Sequence, residues 1–366
     1  MKYYLAYHVK NPRDVRLELP MKIHEMVEYI TKELEAGNHL QDRNILLEVC
    51  AGVACTCQDI LDLLWIAESL SSSRKWFGLK NHWRQDRSQS ISPNSTLDEK
   101  FIAAICVHAY WLVAELLPHA PEHLPESVWE RPISAAVLLE DSDMVKLIIE
   151  SMDEEKSKKW QRNEMLDDTS IYSTEGAVSN SIANNNTDIT AFLLGYLDGY
   201  TALINKPYYC KWVKLAVNCQ NNESLKSLLQ IAAEESPYHI CNRTFEQGCR
   251  TGSLAIVKTL LEYGQVELES FSTTLSAMAS SIRSGTVEMV REVVAAGADI
   301  NYVLTHHRSV KIDTFTPLEY AVHLRKLDVV AYLVECGANI PHQCFWPSRG
   351  EIRKVLQKAV EERAAT

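Results

Sequence analysis

The chain has 366 residues, 46% hydrophobic and 23% charged, ordinary proportions for a folded soluble protein. Its net charge of −11 argues against wholesale binding to a nucleic-acid backbone or an anionic membrane, leaving room only for local basic patches. No stretch approaches the roughly 18 uninterrupted apolar residues of a membrane span. The opening Tyr3-Tyr4-Leu5-Ala6-Tyr7 is only a short apolar run, soon followed by Lys10 and Arg13, and does not resemble a secretory signal. Ten cysteines without framework spacing read as reduced thiols in a cytosolic or nuclear protein.

The first predicted element is a helix opening after Pro20, carrying Met26-Val27-Glu28-Tyr29-Ile30 and closing at Gly37-Asn38. Beyond it an apolar doublet recurs: Leu63-Leu64, Leu116-Leu117, Ile148-Ile149, Leu193-Leu194, Leu228-Leu229, Leu260-Leu261, Val293-Val294 and Leu333-Val334. Three residues before each lies Ile60, Val113, Val145, Thr190, Leu225, Val257, Val290 or Val330. Seven of these eight are aliphatic, the buried stripe of a helix.

Nine residues earlier still lie Ala51, Ala104, Ala136, Ser181, Ala216, Gly248, Ser281 and Ala321, every one small. The doublets set that register, so the uniform smallness is a near-independent test of it. A small residue at one address lets two helices joined by a tight turn approach closely. Three residues before it come Phe101, Ile133, Val178, Val213, Phe245, Met278 and Leu318; only the first unit breaks this column, with Glu48. Each unit is therefore helix, short turn, helix, stop. Gly264, Gly297 and Gly337 close the last apolar runs, where a left-handed glycine ends a helix at low cost.

Spacings between the small residues are 53, 32, 45, 35, 32, 33 and 40. The excesses fall between one second helix and the next first helix, giving insertions near residues 70–97, 151–175 and 301–315. Long loops on a rigid scaffold often carry function. The first interleaves Arg74, Lys75, Lys80, Arg84 and Arg87 with Trp76, Phe77 and Trp83, a composition suited to an acidic or phosphorylated partner, or to base stacking. The alternative is that the aromatics tuck the loop onto the array. The second insertion, with Trp160, Asp167-Asp168 and Tyr172, suggests no specific chemistry. The third alternates apolar and polar residues around Thr305-His306-His307-Arg308-Ser309, predicting a β-hairpin with a basic tip. His306 and His307 are adjacent and make a poor chelating pair.

Cys50, Cys55 and Cys57 lack the paired spacing of a zinc site, as do Cys336, His342 and Cys344; Cys106 and Cys249 read as core residues. No nucleophile elbow, phosphate loop, dinucleotide fingerprint or metalloprotease motif is present. At the end, Ile352, Val355, Leu356 and Ala359 stripe one side of a final helix.

The last full unit, T-P-L-E-Y-A-V-H-L-R-K-L-D-V-V-A-Y-L-V-E-C-G-A-N-I, resembles the ankyrin repeat. The shortest spacings match that family's period of 33. Thr316 suits the first helix's cap and Pro317 its first turn, while Glu319 stands where the family has His. The resemblance implies an all-α ankyrin-repeat solenoid of about eight helix-turn-helix units over residues 41–340. Residues 1–40 would form a half-repeat N-terminal cap and 341–366 a helical C-terminal cap. It implies a non-catalytic scaffold that binds another protein through its concave face and fingers, with no cofactor, metal or membrane. Candidate contacts are Trp76, Phe77, Trp83, Arg84, His306, His307 and Arg308. The alternatives are a pocket-forming enzyme on the same array, or a nucleic-acid-associated regulator using the basic 74–87 loop.

Overall fold

The computed structural model describes residues 2–10, 18–39, 43–56, 96–119, 131–151, 174–196, 207–235, 242–264, 271–284, 286–302, 304–308 and 311–365. The chain divides into two compact units, Met1–Asp198 and Gly199–Thr366.

In the first unit, α1 (Lys2–Lys10) packs on α2 (Glu18–Ala36) and α3 (Ile45–Thr56). Pro20 lies inside the first turn of α2, where the helix has no amide bond to lose. Next come the pairs α4 (Leu97–Cys106) and α5 (Tyr110–Leu116), α6 (Pro132–Leu138) and α7 (Ser142–Glu150), and α8 (Thr174–Ala183) and α9 (Thr187–Gly195). First helices stack as α4 on α6 and α6 on α8; α5 lies on α7. The second unit repeats the pattern with α10 (Pro207–Asn218), α11 (Asn222–Glu235), α12 (Asn242–Thr251), α13 (Leu254–Tyr263), α14 (Phe271–Ser284) and α15 (Val287–Ala295). A hairpin follows, β1 (Leu304–Arg308) and β2 (Lys311–Phe315), then α16 (Pro317–His323), α17 (Leu327–Glu335) and α18 (Glu351–Ala365).

One local device recurs through the helix pairs. Four residues after the small residue the backbone turns left-handed: His108 (φ 54°), Glu140 (57°), Asn185 (60°), Gln220 (55°), Gly252 (75°) and Arg325 (57°). In five of these six turns the next amide donates back to the small residue's own carbonyl, as Ala109 to Ala104 at 2.9 Å, Asp141 to Ala136 at 3.0 Å and Asn221 to Ala216 at 2.9 Å. At Gly252 the Ser253 amide donates to Thr251 Oγ1 at 3.3 Å, and that hydroxyl donates to the Gly248 carbonyl at 2.7 Å. The six-to-one bond closes the first helix. The residue at that position also caps the second helix: the side chains of Asp141, Asn186, Asn221 and Ser253 accept from the backbone of Met144, Ile189, Ser224 and Ile256. One residue thus ends one helix and begins the next, which keeps the turn short and the helices close.

Ala104, Ala136, Ser181, Ala216, Ser281 and Ala321 are all 0% exposed, as are their aliphatic counterparts Val113, Val145, Leu225, Val257, Val290 and Val330. Thr190, the non-aliphatic member of that column, brings its hydroxyl to 2.9 Å from Ser181 Oγ and 2.8 Å from Asn186 O, so its buried polar atom is satisfied at the crossing. A Cβ added at Gly248 would lie 2.7 Å from Leu260 Cδ1, on its own second helix.

The first predicted unit departs from the pattern. The periodicity places a turn at Cys55, but α3 continues to Thr56 and Ala51 is only half-buried. Val49, Cys50 and Val53 fill its core face instead, and buried Gly52 sits where an added Cβ would collide with Cys106 Sγ. Glu48 turns outward to Arg43, whose Nη2 also reaches Val107 O at 2.5 Å. Close approach to α4 therefore fixes this helix's rotation, one residue away from the extrapolated column. Ile60 and Leu63-Leu64 lie outside the described residues.

The segments A-A-G-A-D-I-N (295–301) and E-C-G-A-N-I (335–340), which share a Gly-Ala step, are helix stops. Gly297 (φ 101°) and Gly337 (φ 89°) are left-handed, and Ala298 and Ala338 donate to Val293 and Leu333 carbonyls. Asn301 Oδ1 in one phrase accepts the Asn339 amide of the other at 2.7 Å, tying consecutive stops together. Gly264 differs: its backbone is extended (φ −97°, ψ 134°), so it ends α13 without a left-handed turn. The final helix lays Ile352, Leu356 and Ala359 against α17, and Arg363 donates to the carbonyls of Val334 and Ala338 at its end.

Candidate interaction surfaces

The predicted hairpin is present, with register Leu304↔Phe315, His306↔Asp313 and Arg308↔Lys311. His306, His307 and Arg308 are paired strand residues, and Arg308↔Lys311, two basic residues, is the last pair before the connection, where the sequence places a basic tip. The base of the finger is anchored. The Phe315 ring stacks on His323 with centroids 5.4 Å apart and lies 6.1 Å from that of Tyr320. The Tyr320 hydroxyl in turn accepts from Arg283 Nη2 at 2.8 Å and Nε at 3.2 Å. Strand β1 packs on α14 and β2 on α16, so two neighbouring first helices position one finger.

Beside the finger, first helices of the second unit present an outward stripe at positions i, i+3 and i+7. It reads Lys211, Lys214 and Asn218 on α10, then Arg243, Glu246 and Arg250 on α12. It continues with half-buried Ala279 and exposed Arg283 on α14, and with Glu319 and His323 on α16. Spacing of three and four keeps one helix face toward solvent while Trp212, Val213, Phe245 and Leu318 fill the other.

Glu319 in this stripe completes a capping box: its carboxylate accepts the Thr316 amide at 2.7 Å and Thr316 Oγ1 accepts the Glu319 amide at 3.2 Å. Carboxylate chemistry thus serves the turn that histidine serves in the family pattern. The same box recurs at Thr96–Glu99, where buried Glu99 also pairs with Lys22 and fastens α2 to α4.

The first unit carries a cluster that the motif search missed. His108 Nδ1 lies 2.5 Å from Asp141 Oδ2, and the Tyr110 hydroxyl donates to both Asp141 oxygens at 3.1 Å. Burial, then the Asp141 hydrogen bond and charge, push the Tyr110 hydroxyl up from its ordinary range. Asp141 also accepts the Met144 amide at 2.9 Å, so both of its oxygens are engaged. The cluster fastens adjacent repeats. Its signal was available: His108 is the turn residue of one unit and Asp141 the cap of the next. The Trp111 ring beside it is tilted 32° to that of His39, with centroids 5.8 Å apart.

Trp76, Phe77, Trp83 and Arg84 lie outside the described residues, as does nearly all of the 151–175 insertion. Burial pushes the Cys50 thiol up to about 11 and the Cys249 thiol up to about 12, and holds Cys106 up as well, so these core thiols stay protonated near neutrality. His342 Nδ1 is 3.1 Å from Cys344 Sγ on the surface. Among the described residues no group of three His, Cys, Asp or Glu could hold a metal ion, and no helix is long and apolar enough to cross a membrane.

Residues 213–344 match the family model for ankyrin repeats, in three copies. No curated protein matches the sequence. Among solved structures, the human ASB11 ankyrin repeat domain is similar at 17% identity and a TM-score of 0.39, covering 50% of this chain and 82% of its own. The ankyrin repeat domain of Bcl-3, a member of the IkappaB family, is similar at 18% identity and 0.41, covering 62% and 97%. The family match assigns residues 213–344 to ankyrin repeats, and the same turn geometry recurs in the helix pairs that precede them.

Proposed function

We propose that the chain is a protein–protein interaction module that docks its partner on the first-helix face and the fingers. Ankyrin repeats are generally protein–protein interaction modules. What supports the finer reading is the hairpin held by Phe315, Tyr320, His323 and Arg283 beside an outward stripe kept in register across four first helices. A finger fixed at its base presents backbone and side chains without the ordering cost of a loose loop.

Site-specific photo-cross-linking tests this. A photoreactive residue at Asn218 or Arg250 should yield cross-links to a second polypeptide, mapped by mass spectrometry, while one at Lys226 or Lys258 on the second helices should not. Equal yields from both faces, or none from the first-helix face, would contradict the assignment.

A further inference from the structure

We propose that the first-helix stripe of the second unit binds a carboxylate-rich segment of a partner protein, an inference that rests on the interaction role above. Charge in this unit is segregated by layer. The first helices α10, α12, α14 and α16 carry five Lys or Arg residues against two carboxylates. The second helices α11, α13, α15 and α17 carry three against eight. The basic layer runs against the chain's overall charge of −11.

All five cations, Lys211, Lys214, Arg243, Arg250 and Arg283, are exposed. Both carboxylates of the layer have local work: Glu246 pairs with Arg250 at 2.5 Å on an exposed helix face, a contact that competes weakly, and Glu319 closes the Thr316 capping box. Arg283 bonds the Tyr320 hydroxyl, which orients the guanidinium.

Spacing selects the occupant. Arg250, Arg283 and His323 occupy the same stripe position in successive repeats, as Lys211 and Arg243 do two turns earlier. Packed helices lie about 8–10 Å apart. A polyproline-II-like segment turns once every three residues and rises about 3.1 Å per residue, so carboxylates at every third position share one edge and fall in step with consecutive repeats. A nucleic acid fits less well: among the described residues the stripe offers no Phe, Tyr or Trp ring for base stacking, and an acidic helix layer stands behind it.

The test is fluorescence anisotropy with a labelled peptide carrying Glu at every third position in a Ser/Ala background. The full-length protein should bind it, with affinity falling at least about tenfold between low and high salt, as screening of exposed charges requires. Lys214→Glu/Arg243→Glu should weaken binding at least about tenfold and the neutral Lys214→Gln/Arg243→Gln by less, both with unchanged circular dichroism; Lys226→Glu/Lys258→Glu should leave it unaltered. No binding of the peptide, equal losses from both layers, or equal affinity for a single-stranded DNA of the same charge would overturn the proposal. Peptide binding absent while Asn218 still cross-links a polypeptide would overturn the acidic-partner assignment alone. Absence of both would overturn the interaction role as well.

Discussion

Gly248→Leu is the sharpest perturbation of the helix-pair crossing. A Cβ at this position would lie 2.7 Å from Leu260 Cδ1, 3.5 Å from Ile256 Cγ2 and 3.9 Å from Val217 Cγ1. Carbon atoms prefer about 3.5–4.0 Å, so the Leu260 methyl must retreat by roughly 0.8 Å even for alanine. Gly248→Ala recovers about 1 kcal/mol of helix propensity and loses a similar amount, about 0.5–1.5 kcal/mol, to an off-rotamer Leu260. It should be near neutral. Leucine adds three more carbons among Leu260, Ile256 and Val217, all 0% exposed, and should destabilise by about 1–3 kcal/mol. Leu260→Ala alone should cost about 2–5 kcal/mol. Combined with Gly248→Leu it should cost at least about 1 kcal/mol less than the sum, because the second change vacates the space the first invades. Repeat arrays unfold locally, so the readout is hydrogen exchange of segment 242–263 in the full chain. Unchanged protection in Gly248→Leu, or strictly additive costs, would refute the close-crossing argument.

Thr316→Ala removes one bond of the capping box and should lower the local stability of residues 317–323 by about 1 kcal/mol, read by exchange at those amides; Glu319→Gln, which keeps an acceptor, should lose less. The raised thiols predict alkaline weakening. An unfolded thiol ionises near about 8.5, whereas folded Cys50 and Cys249 hold their protons to about 11 and about 12. Above roughly pH 8.5 the unfolded state binds fewer protons, so stability present below that pH falls by up to about 1.4 kcal/mol per pH unit for each thiol until its folded value is passed. Urea unfolding at stepped pH should show that slope, with Cys249→Ala flattening its share. Exchanging Trp76, Trp83 and Arg84 together for alanine should weaken partner capture while leaving helicity and melting unchanged; an unfolded triple variant would make those residues structural.

Periodicity located what repetition specifies. The doublets, the small column and the glycine stops reappear as buried crossings, left-handed turns and helix ends, because each follows from a helix pair meeting itself at one address. The hairpin was legible too, from its alternation; how far pairing runs toward its tip was not, since only the ladder shows that it continues to Arg308↔Lys311. Extrapolation failed where the neighbour changes. Around Ala51 the helix runs on and Gly52, against Cys106, takes the tight contact. The helix Lys2–Lys10 was hidden because its short apolar run shows too little period to separate it from a loop. The His108–Asp141 contact escaped because motif searches look along the chain, whereas these residues meet only across stacked turns.

The most direct measurement is amide hydrogen exchange at Ala109, Asp141, Asn186, Asn221 and Lys326, whose N–H groups donate to the carbonyls of Ala104, Ala136, Ser181, Ala216 and Ala321 at 2.9–3.0 Å. A repeated helix hairpin locked onto its small residue predicts that all five, though they stand between helices, exchange as slowly as the helix interiors beside them. Exchange at the rate of an open loop at these positions would contradict it.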